Sequence, residues 1–274
     1  MSGLPLWHAP AHRHRIRWSR PSGRLRHGTL AVRTLGASGP PLLLLHGLGA
    51  SGRYWGGAFD RLGESARLIV PDLLGFGASP RPPLGYGPEE HADAIAACLR
   101  ECGADDKPAL VVGHSLGSLI ALAFAARYPG MVAGLVGFGP PLYRSASEAR
   151  RRVGHLGLMV RLFTIDSPWT AALCAWTCAH REAAGRLVEL LRMDLPAPIA
   201  RDSVRHSWPS FSGTVERVIL ASESPKWLQE AVGPVCFVVG AEDKVPDMRF
   251  LGELSHRYDR ISSRSCHMRS TACP

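Results

Sequence analysis

A chain of 274 residues, 46% of them hydrophobic, is long enough for one large domain with a sizeable buried core, which excludes global disorder. The formal charge is +9, but it is carried almost wholly by arginine, since the only lysines are Lys107, Lys226 and Lys244. The basic residues are scattered apart from a cluster between Arg13 and His27 that no aromatic-interleaved binding motif accompanies, so a solvated edge is expected there and no nucleic-acid partner.

The N-terminal stretch Met1–Pro10 lacks the continuous apolar run of a signal peptide. From Arg13 to Val32 the pattern suggests two short strands, with His27-Gly28 as a turn or bulge. Pro41-Leu42-Leu43-Leu44-Leu45 is a continuous apolar run of strand length, as expected of a strand covered on both faces in a parallel sheet. It ends in His46-Gly47-Leu48-Gly49. A helix-like stretch from Tyr54 to Leu62 follows, then Arg67-Leu68-Ile69-Val70 as the next strand, which stops at Pro71-Asp72.

Pro88 suits a first helical turn, and Glu89 and Glu90 behind it suit the positive end of the helix dipole. Ala92, Ile95, Ala96 and Leu99 give that helix an apolar stripe. Ala109-Leu110-Val111-Val112 is a third buried strand, Leu116 to Tyr128 a strongly apolar helix, and Met131 to Phe138 a fourth strand closed by Gly139-Pro140-Pro141. Repeated alternation of this kind implies an α/β fold with a mostly parallel sheet flanked by helices.

The rhythm breaks at Pro141. Residues 141–211 carry helical patterns and no clear strand, and are read as an inserted helical lid between a first core segment, 1–140, and a second, 212–274. In the second, helix-like segments near Val215–Ala221 and Pro225–Ala231 lead to a buried strand, Pro234 to Gly240. Asp247 to Tyr258 reads as a helix and Arg260 to Arg264 as a short strand. The longest apolar approach, Leu156 to Ala179, is interrupted by Arg161, Asp166 and Pro168, so no membrane span is expected.

The cysteines number seven. Cys98 with Cys102, and Cys174 with Cys178, have i, i+4 spacing that puts each pair on one helix face, but no CxxC or Cys/His set completes a metal site. They are read as small buried apolar residues. An odd count without a secretory signal fits a reducing, cytoplasmic setting.

Gly113-His114-Ser115-Leu116-Gly117 has the form G-x-S-x-G. It directly follows an apolar strand and directly precedes a helix, the context in which a sharp turn lifts a serine hydroxyl above the sheet edge. Glycines two before and two after let neighbouring segments approach, and the helix N-terminus brings backbone N–H groups to the same place.

With these residues the sequence resembles the α/β-hydrolase family, in its serine-nucleophile, lid-containing, esterase-like branch, over roughly residues 25 to 268. His46-Gly47-Leu48-Gly49 is similar to the family's HG loop. By that likeness the backbone N–H groups of Leu48 and Leu116 form an oxyanion hole. His46 precedes the serine, whereas the family order is serine, acid, histidine, so it is expected to be structural. Pro71-Asp72-Leu73-Leu74-Gly75-Phe76-Gly77-Ala78-Ser79 is similar to the PDxxGxGxS stretch, with Asp72 expected to satisfy loop backbone groups. His114 is read as a packing residue.

A serine nucleophile needs a base, and the base an orienting acid. The acid is expected after a late strand. Gly240-Ala241-Glu242-Asp243 looks like the family's G-x-x-D and nominates Asp243, with Glu242 and Asp247 as alternatives. One helix and strand later comes His267, the nominated base; His256 lies within the helix. After His267 only Met268–Pro274 remain, short and polar, so a shortened C-terminal end is expected.

The resemblance implies a serine hydrolase acting on a carboxylic ester or related acyl bond of a small hydrophobic molecule, without metal or organic cofactor. Met159, Phe163, Trp169, Leu173 and Trp176 offer apolar surface in the expected lid, either to line a pocket or to pack it onto the core. Serine at 115 disfavours dehalogenase and epoxide-hydrolase chemistry. Thioesterase, C–C hydrolase and cofactor-free haloperoxidase-like activities, or a non-catalytic ligand-binding role, stay open. The oligomeric state is not legible.

Overall fold

Leu42 to Leu45 lie in the second strand of a seven-stranded sheet, and all are buried. The computed structural model describes residues 30–154, 168–191, 196–221 and 223–266. In chain order the strands are β1 (Val32–Leu35), β2 (Pro41–Leu45), β3 (Arg67–Pro71), β4 (Ala109–His114), β5 (Val132–Phe138), β6 (Val235–Gly240) and β7 (Ile261–Cys266). Across the sheet they run β1-β3-β2-β4-β5-β6-β7. β1 pairs antiparallel with β3, and every other neighbouring pair is parallel.

The side-chain period of two divides the Leu run between two cores. Leu43 and Leu45 join Ile69 and Val111 on one face, while Leu42 and Leu44 join Leu68, Val70, Val112 and Trp55 on the other. A strand covered on both sides has no polar face to show, which is why β2 reads as unbroken leucine.

Two helices pack on the larger core. Helix α1 (Pro88–Glu101) opens with Pro88 and has the Glu90 carboxylate accepting from the Gly87 N–H at 2.9 Å. It buries the expected Ala92, Ile95, Ala96 and Leu99 and packs against α2 (Leu116–Arg127). Helix α2 is buried from Leu116 through Ala125, so it is apolar all round.

Between β5 and β6 the described residues of 141–211 form no strand. They contain α3 (Ala146–Gly154), α4 (Pro168–Ala179), α5 (Arg181–Leu191), α6 (Ala197–Asp202) and the start of α7 (Trp208–Thr214). Helix α7 runs on into Val215–Leu220, wound one residue wider per turn: the Ala221 N–H reaches back to the Glu216 carbonyl at 3.0 Å. Then come α8 (Ser224–Glu230) and, between β6 and β7, α9 (Met248–Arg257).

Two local expectations are corrected, and a third lies outside the described residues. The helix expected over Tyr54–Leu62 is two short 3-10 turns, Gly52–Trp55 and Asp60–Glu64, because Gly56 leaves the first at φ 56°. The two short strands expected between Arg13 and Val32 fall almost wholly on residues 1–29, outside the described residues; the first described strand is Val32–Leu35. β7 extends to Cys266, past the apolar pattern: with one neighbour only, it is held by its ladder to β6 while Ser262–Ser265 stay exposed. Among the described residues no helix is long and apolar enough to cross a membrane.

Candidate active site

The strand order switches side at β2, since β3 lies on one side of it and β4 on the other. The loops leaving β2 and β4 therefore part at their carboxyl ends and leave a crevice, the usual ligand position in an open α/β sheet. Gly47 follows β2 and Ser115 follows β4, and both occupy that crevice. A Cβ placed on Gly47 would lie 3.5 Å from the Ser115 Cβ.

Ser115 is half-buried and sits at φ 50°, ψ −118°. Such a backbone costs a residue with a side chain about 1–3 kcal/mol and persists only where the surroundings enforce it. The enforcement is visible. The Ser115 N–H donates to the Phe138 carbonyl at the end of β5 (2.8 Å), and the Ser115 carbonyl accepts from Ser118 (2.9 Å). Gly113 and Gly117 are needed for contact, not for φ: a Cβ on Gly113 would fall 2.4 Å from the Gly117 carbonyl oxygen, and one on Gly117 would fall 2.3 Å from that of Leu45.

Leu116 is the first residue of α2. The leading N–H groups of a helix have no carbonyl one turn earlier to bind, and the helix dipole gives them a positive bias. Leu48 lies half-buried in the facing loop, followed by Gly49 at φ 64°. Both nominated N–H donors thus belong to the two loops that flank the crevice.

His46 is fully buried. Its Nε2 accepts from the Leu73 N–H at 2.8 Å, and Nδ1 lies 2.8 Å from the Gly47 carbonyl. That pattern fits an Nδ1–H tautomer clamping two loops. Burial lowers its basicity, against the pull of Asp72 and the Gly47 carbonyl. Asp72 accepts from the N–H groups of Gly52 and Ala78, each at 2.7 Å. Ser79 donates to the Asp72 carbonyl at 2.6 Å and accepts from Ala31 at 2.9 Å. His114 stacks on Tyr54 with ring centroids 4.5 Å apart.

Asp243 is half-buried in the turn after β6, its N–H on the Gly240 carbonyl (3.0 Å) and its Oδ1 accepting from Val245 (2.9 Å). Burial raises its pKa, opposed by the Val245 N–H. Of the alternatives, Glu242 is exposed. Asp247 is already occupied: it caps α9 through the N–H groups of Arg249 and Phe250 and pairs with Arg152 at 2.8 Å. β7 ends at Cys266, which is paired with Gly240 and accepts from the Ala241 N–H at 2.9 Å. The chain thus leaves β7 beside the turn that carries Asp243. His267 lies outside the described residues, as do Met159 and Phe163.

The other expected apolar residues of the helical segment are not enclosed. Trp169 is 86% exposed, and Leu173 and Trp176 are about half exposed. They present a surface on α4, because that face of the helix has no described neighbour to pack against.

Two positioning residues had no motif to reveal them. Asp202, buried at the end of α6, accepts from the Ser51 hydroxyl at 2.6 Å and lies beside Arg53 and Arg205. It fastens the helical segment to the loop after β2. Tyr143 is fully buried, and its hydroxyl donates to the Val245 carbonyl at 3.1 Å, steadying the turn of Asp243. A third surprise is His206, which the fold brings beside Cys174 and Cys178 although it lies far from them in the chain.

Residues 40–157 match a family model described as alpha/beta hydrolase fold. Lipase LipV of Mycobacterium tuberculosis is 38% identical over 125 residues, 45% of this chain and 46% of that protein. The 2-(acetamidomethylene)succinate hydrolase of Mesorhizobium japonicum is 35% identical over 123 residues, 44% of this chain and 43% of that protein. Uncharacterized protein Rv2715 of Mycobacterium tuberculosis is 34% identical over 113 residues, 41% of this chain and 33% of that protein. The chain thus covers between a third and somewhat under half of the length of these relatives. A crystal structure of E-2-(acetamidomethylene)succinate hydrolase superposes with a TM-score of 0.67 at 22% identity, covering 88% of both chains. The sheet order, the strained serine after β4 and these likenesses agree: the chain has the α/β-hydrolase fold.

Proposed function

We propose that the chain is a serine hydrolase that cleaves a carboxylic ester or related acyl bond of a small hydrophobic molecule, with Ser115 as nucleophile. The observation that carries this reading is the positive φ of Ser115, enforced by glycine contacts on both sides and facing the Gly47–Leu48 loop across the crevice. Relatives named as a lipase and a hydrolase support the reaction class.

In this mechanism His267 takes the Ser115 proton as Oγ attacks the carbonyl carbon. Asp243 orients the imidazole and stabilises its charged form. The negative charge that develops on the carbonyl oxygen is met by the N–H groups of Leu48 and Leu116, each worth roughly 2.7–4 kcal/mol in such a site. The tetrahedral adduct collapses, the C–O bond to the leaving alcohol breaks, and the alcohol leaves with the proton from His267. Water, deprotonated by the same imidazole, then releases the acid and restores the Ser115 hydroxyl.

A fluorophosphonate probe tests the assignment on the intact folded chain. The expected result is one label, mapped to the Ser115 peptide and absent in Ser115→Ala. A folded chain that takes no label overturns the nucleophile and favours a ligand-binding role. p-Nitrophenyl esters of graded chain length then define the acyl pocket.

A further inference from the structure

Outside the crevice, two thiols and one imidazole converge within the helical segment. Cys174 Sγ lies 3.8 Å from Cys178 Sγ and 3.7 Å from His206 Nδ1, and all three donor atoms lie within 4.8 Å of one another. Cys174 and His206 are buried and Cys178 is half-buried. Tetrahedral zinc, with bonds of about 2.3 Å to sulfur and about 2.0–2.1 Å to nitrogen, requires S···S and S···N edges of about 3.8 and about 3.6 Å. Both measured edges that involve Cys174 fit that figure.

We infer that Cys174, Cys178 and His206 form a binding site for a borderline-soft divalent cation of the zinc class. Binding replaces the two thiol protons, which are released to solvent, with two metal–sulfur bonds, and the Nδ1 lone pair supplies the third. The imidazole then carries its proton on Nε2. The Ser203 backbone offers an acceptor to this ring, the kind of partner that orients a ligating imidazole, whereas the Ser207 carbonyl lies 3.4 Å from Nδ1 itself and gives up that contact when Nδ1 binds the ion. Three protein donors leave a fourth position to water.

The surroundings suit this. Cys178 borders an open depression of about 540 Å³ on the α4–α5 corner, lined also by Ala179 to Ala183, which gives the ion a way in. A second competing contact must yield besides that of Nδ1 with Ser207: the Cys178 thiol points at the His206 carbonyl, 2.7 Å away, and has to turn from it when it loses its proton. Cys98 and Cys102 have the same helical spacing but belong to no such group among the described residues, so they serve as an internal control.

The ion would clip α4 to the stretch around His206. That stretch continues from Asp202, which holds Ser51 of the loop after β2, and the His206 ring packs near Phe76 (6.4 Å), which itself meets His46 edge-on (6.3 Å). The site is therefore a structural fastener of the helical segment over the crevice, distinct from the triad chemistry.

Cobalt(II) titration of the reduced, metal-stripped full chain tests this. The expected result is a thiolate-to-cobalt charge-transfer band in the near ultraviolet with visible tetrahedral bands, saturating at one ion per chain and abolished by zinc. The bands should vanish in Cys174→Ser and in His206→Ala and persist in Cys98→Ser/Cys102→Ser. Because Cys174 and His206 are buried, Cys178→Ala gives a second variant at a half-exposed position, also expected to lose the bands while melting cooperatively. Zinc should raise Tm of the wild type in a concentration-dependent way. A reduced wild type without bands, bands that survive Cys178→Ala, or a Cys174–Cys178 disulfide persisting in reductant would each overturn the site.

Discussion

The N–H of Ser115 donates to the carbonyl of Phe138 at 2.8 Å, so the turn that carries the nominated nucleophile is pinned by the end of the neighbouring strand. The ladder between β4 and β5 runs up to the His114–Phe138 pair and hands over directly to this bond. The strained serine is thus held from the side by β5 and from below by the close approach of Gly117 to β2.

That approach makes Gly117→Ala a sharp probe. The added methyl would meet the carbonyl oxygens of Leu45 and His46 at 2.3 and 2.7 Å, and neither is the end of a flexible side chain. A destabilisation of at least about 1–3 kcal/mol is expected, read as a lower urea midpoint, together with weaker fluorophosphonate labelling. Gly130→Ala, where nothing lies within 4 Å of the new Cβ, should stay within about 0.5 kcal/mol of wild type.

Asp72 is predicted to act on loop geometry and not on chemistry. Its two oxygens hold Gly52 and Ala78, and hydrogen bonds to charged groups are worth about 1.5–3 kcal/mol each. Ala78 is exposed, so its bond counts for less. Asp72→Ala should cost about 2–3 kcal/mol in a urea melt, and Asp72→Asn, which keeps one acceptor, about half. An unchanged melt for Asp72→Ala would remove this role.

The same two loops show what the sequence could and could not carry. The strands of the parallel sheet were legible because burial on both faces leaves no polar positions, and the elbow was legible because Gly113 and Gly117 are dictated by backbone contacts one strand away. Asp202 with Ser51, and Cys174 and Cys178 with His206, were not legible. Each joins residues far apart in the chain through side chains alone, and side-chain pairing leaves no period or spacing in the sequence. Trp169, which the sequence offers as apolar surface for a pocket or for packing, stands exposed, and composition alone could not choose between those two uses.

Buried neutral histidines should make the fold acid-sensitive above the range in which carboxylates titrate. Burial lowers His91 to about 3 and lowers His206 to about 4, in the latter case aided by Arg81 and Arg181. His46 is lowered in the same direction. Each is neutral when folded but gains a proton near pH 6.5 when unfolded. The unfolded state therefore binds more protons, and stability falls as pH drops from about 6.5 towards about 4, by up to about 1.4 kcal/mol per pH unit for each group. Between pH 7 and 5, His91→Gln should lower the slope of ΔG against pH by roughly one group's share; an identical slope would clear His91.

The Ser51–Asp202 bond is expected to couple the helical segment to the loop after β2. Ser51→Ala leaves a buried carboxylate one charge-assisted bond short, at a cost of about 1.5–3 kcal/mol. In a double-mutant cycle with Asp202→Asn, the two changes should be non-additive by at least about 0.5 kcal/mol, as for residues sharing a network. Additivity would mean that Arg53 and Arg205 alone satisfy Asp202.

Asp243 and Asp247 are separated by four positions and by their surroundings, and one pair of variants distinguishes them. Asp243 sits half-buried beside the exit of β7 with the Val245 N–H on its carboxylate, and in the proposed triad it orients the imidazole of His267. Asp243→Asn should reduce kcat on an active p-nitrophenyl ester by about 10⁴-fold, the order expected when the acid of a triad can no longer fix the tautomer, and should leave the melt nearly unchanged. Asp247→Asn should do the reverse. It weakens the cap of α9 by about 0.5–2 kcal/mol and removes the charge paired with Arg152, so stability drops while kcat holds within a few-fold. If the two phenotypes are exchanged, the acid is Asp247; if neither variant affects kcat, a serine–imidazole pair works without a carboxylate partner in this turn.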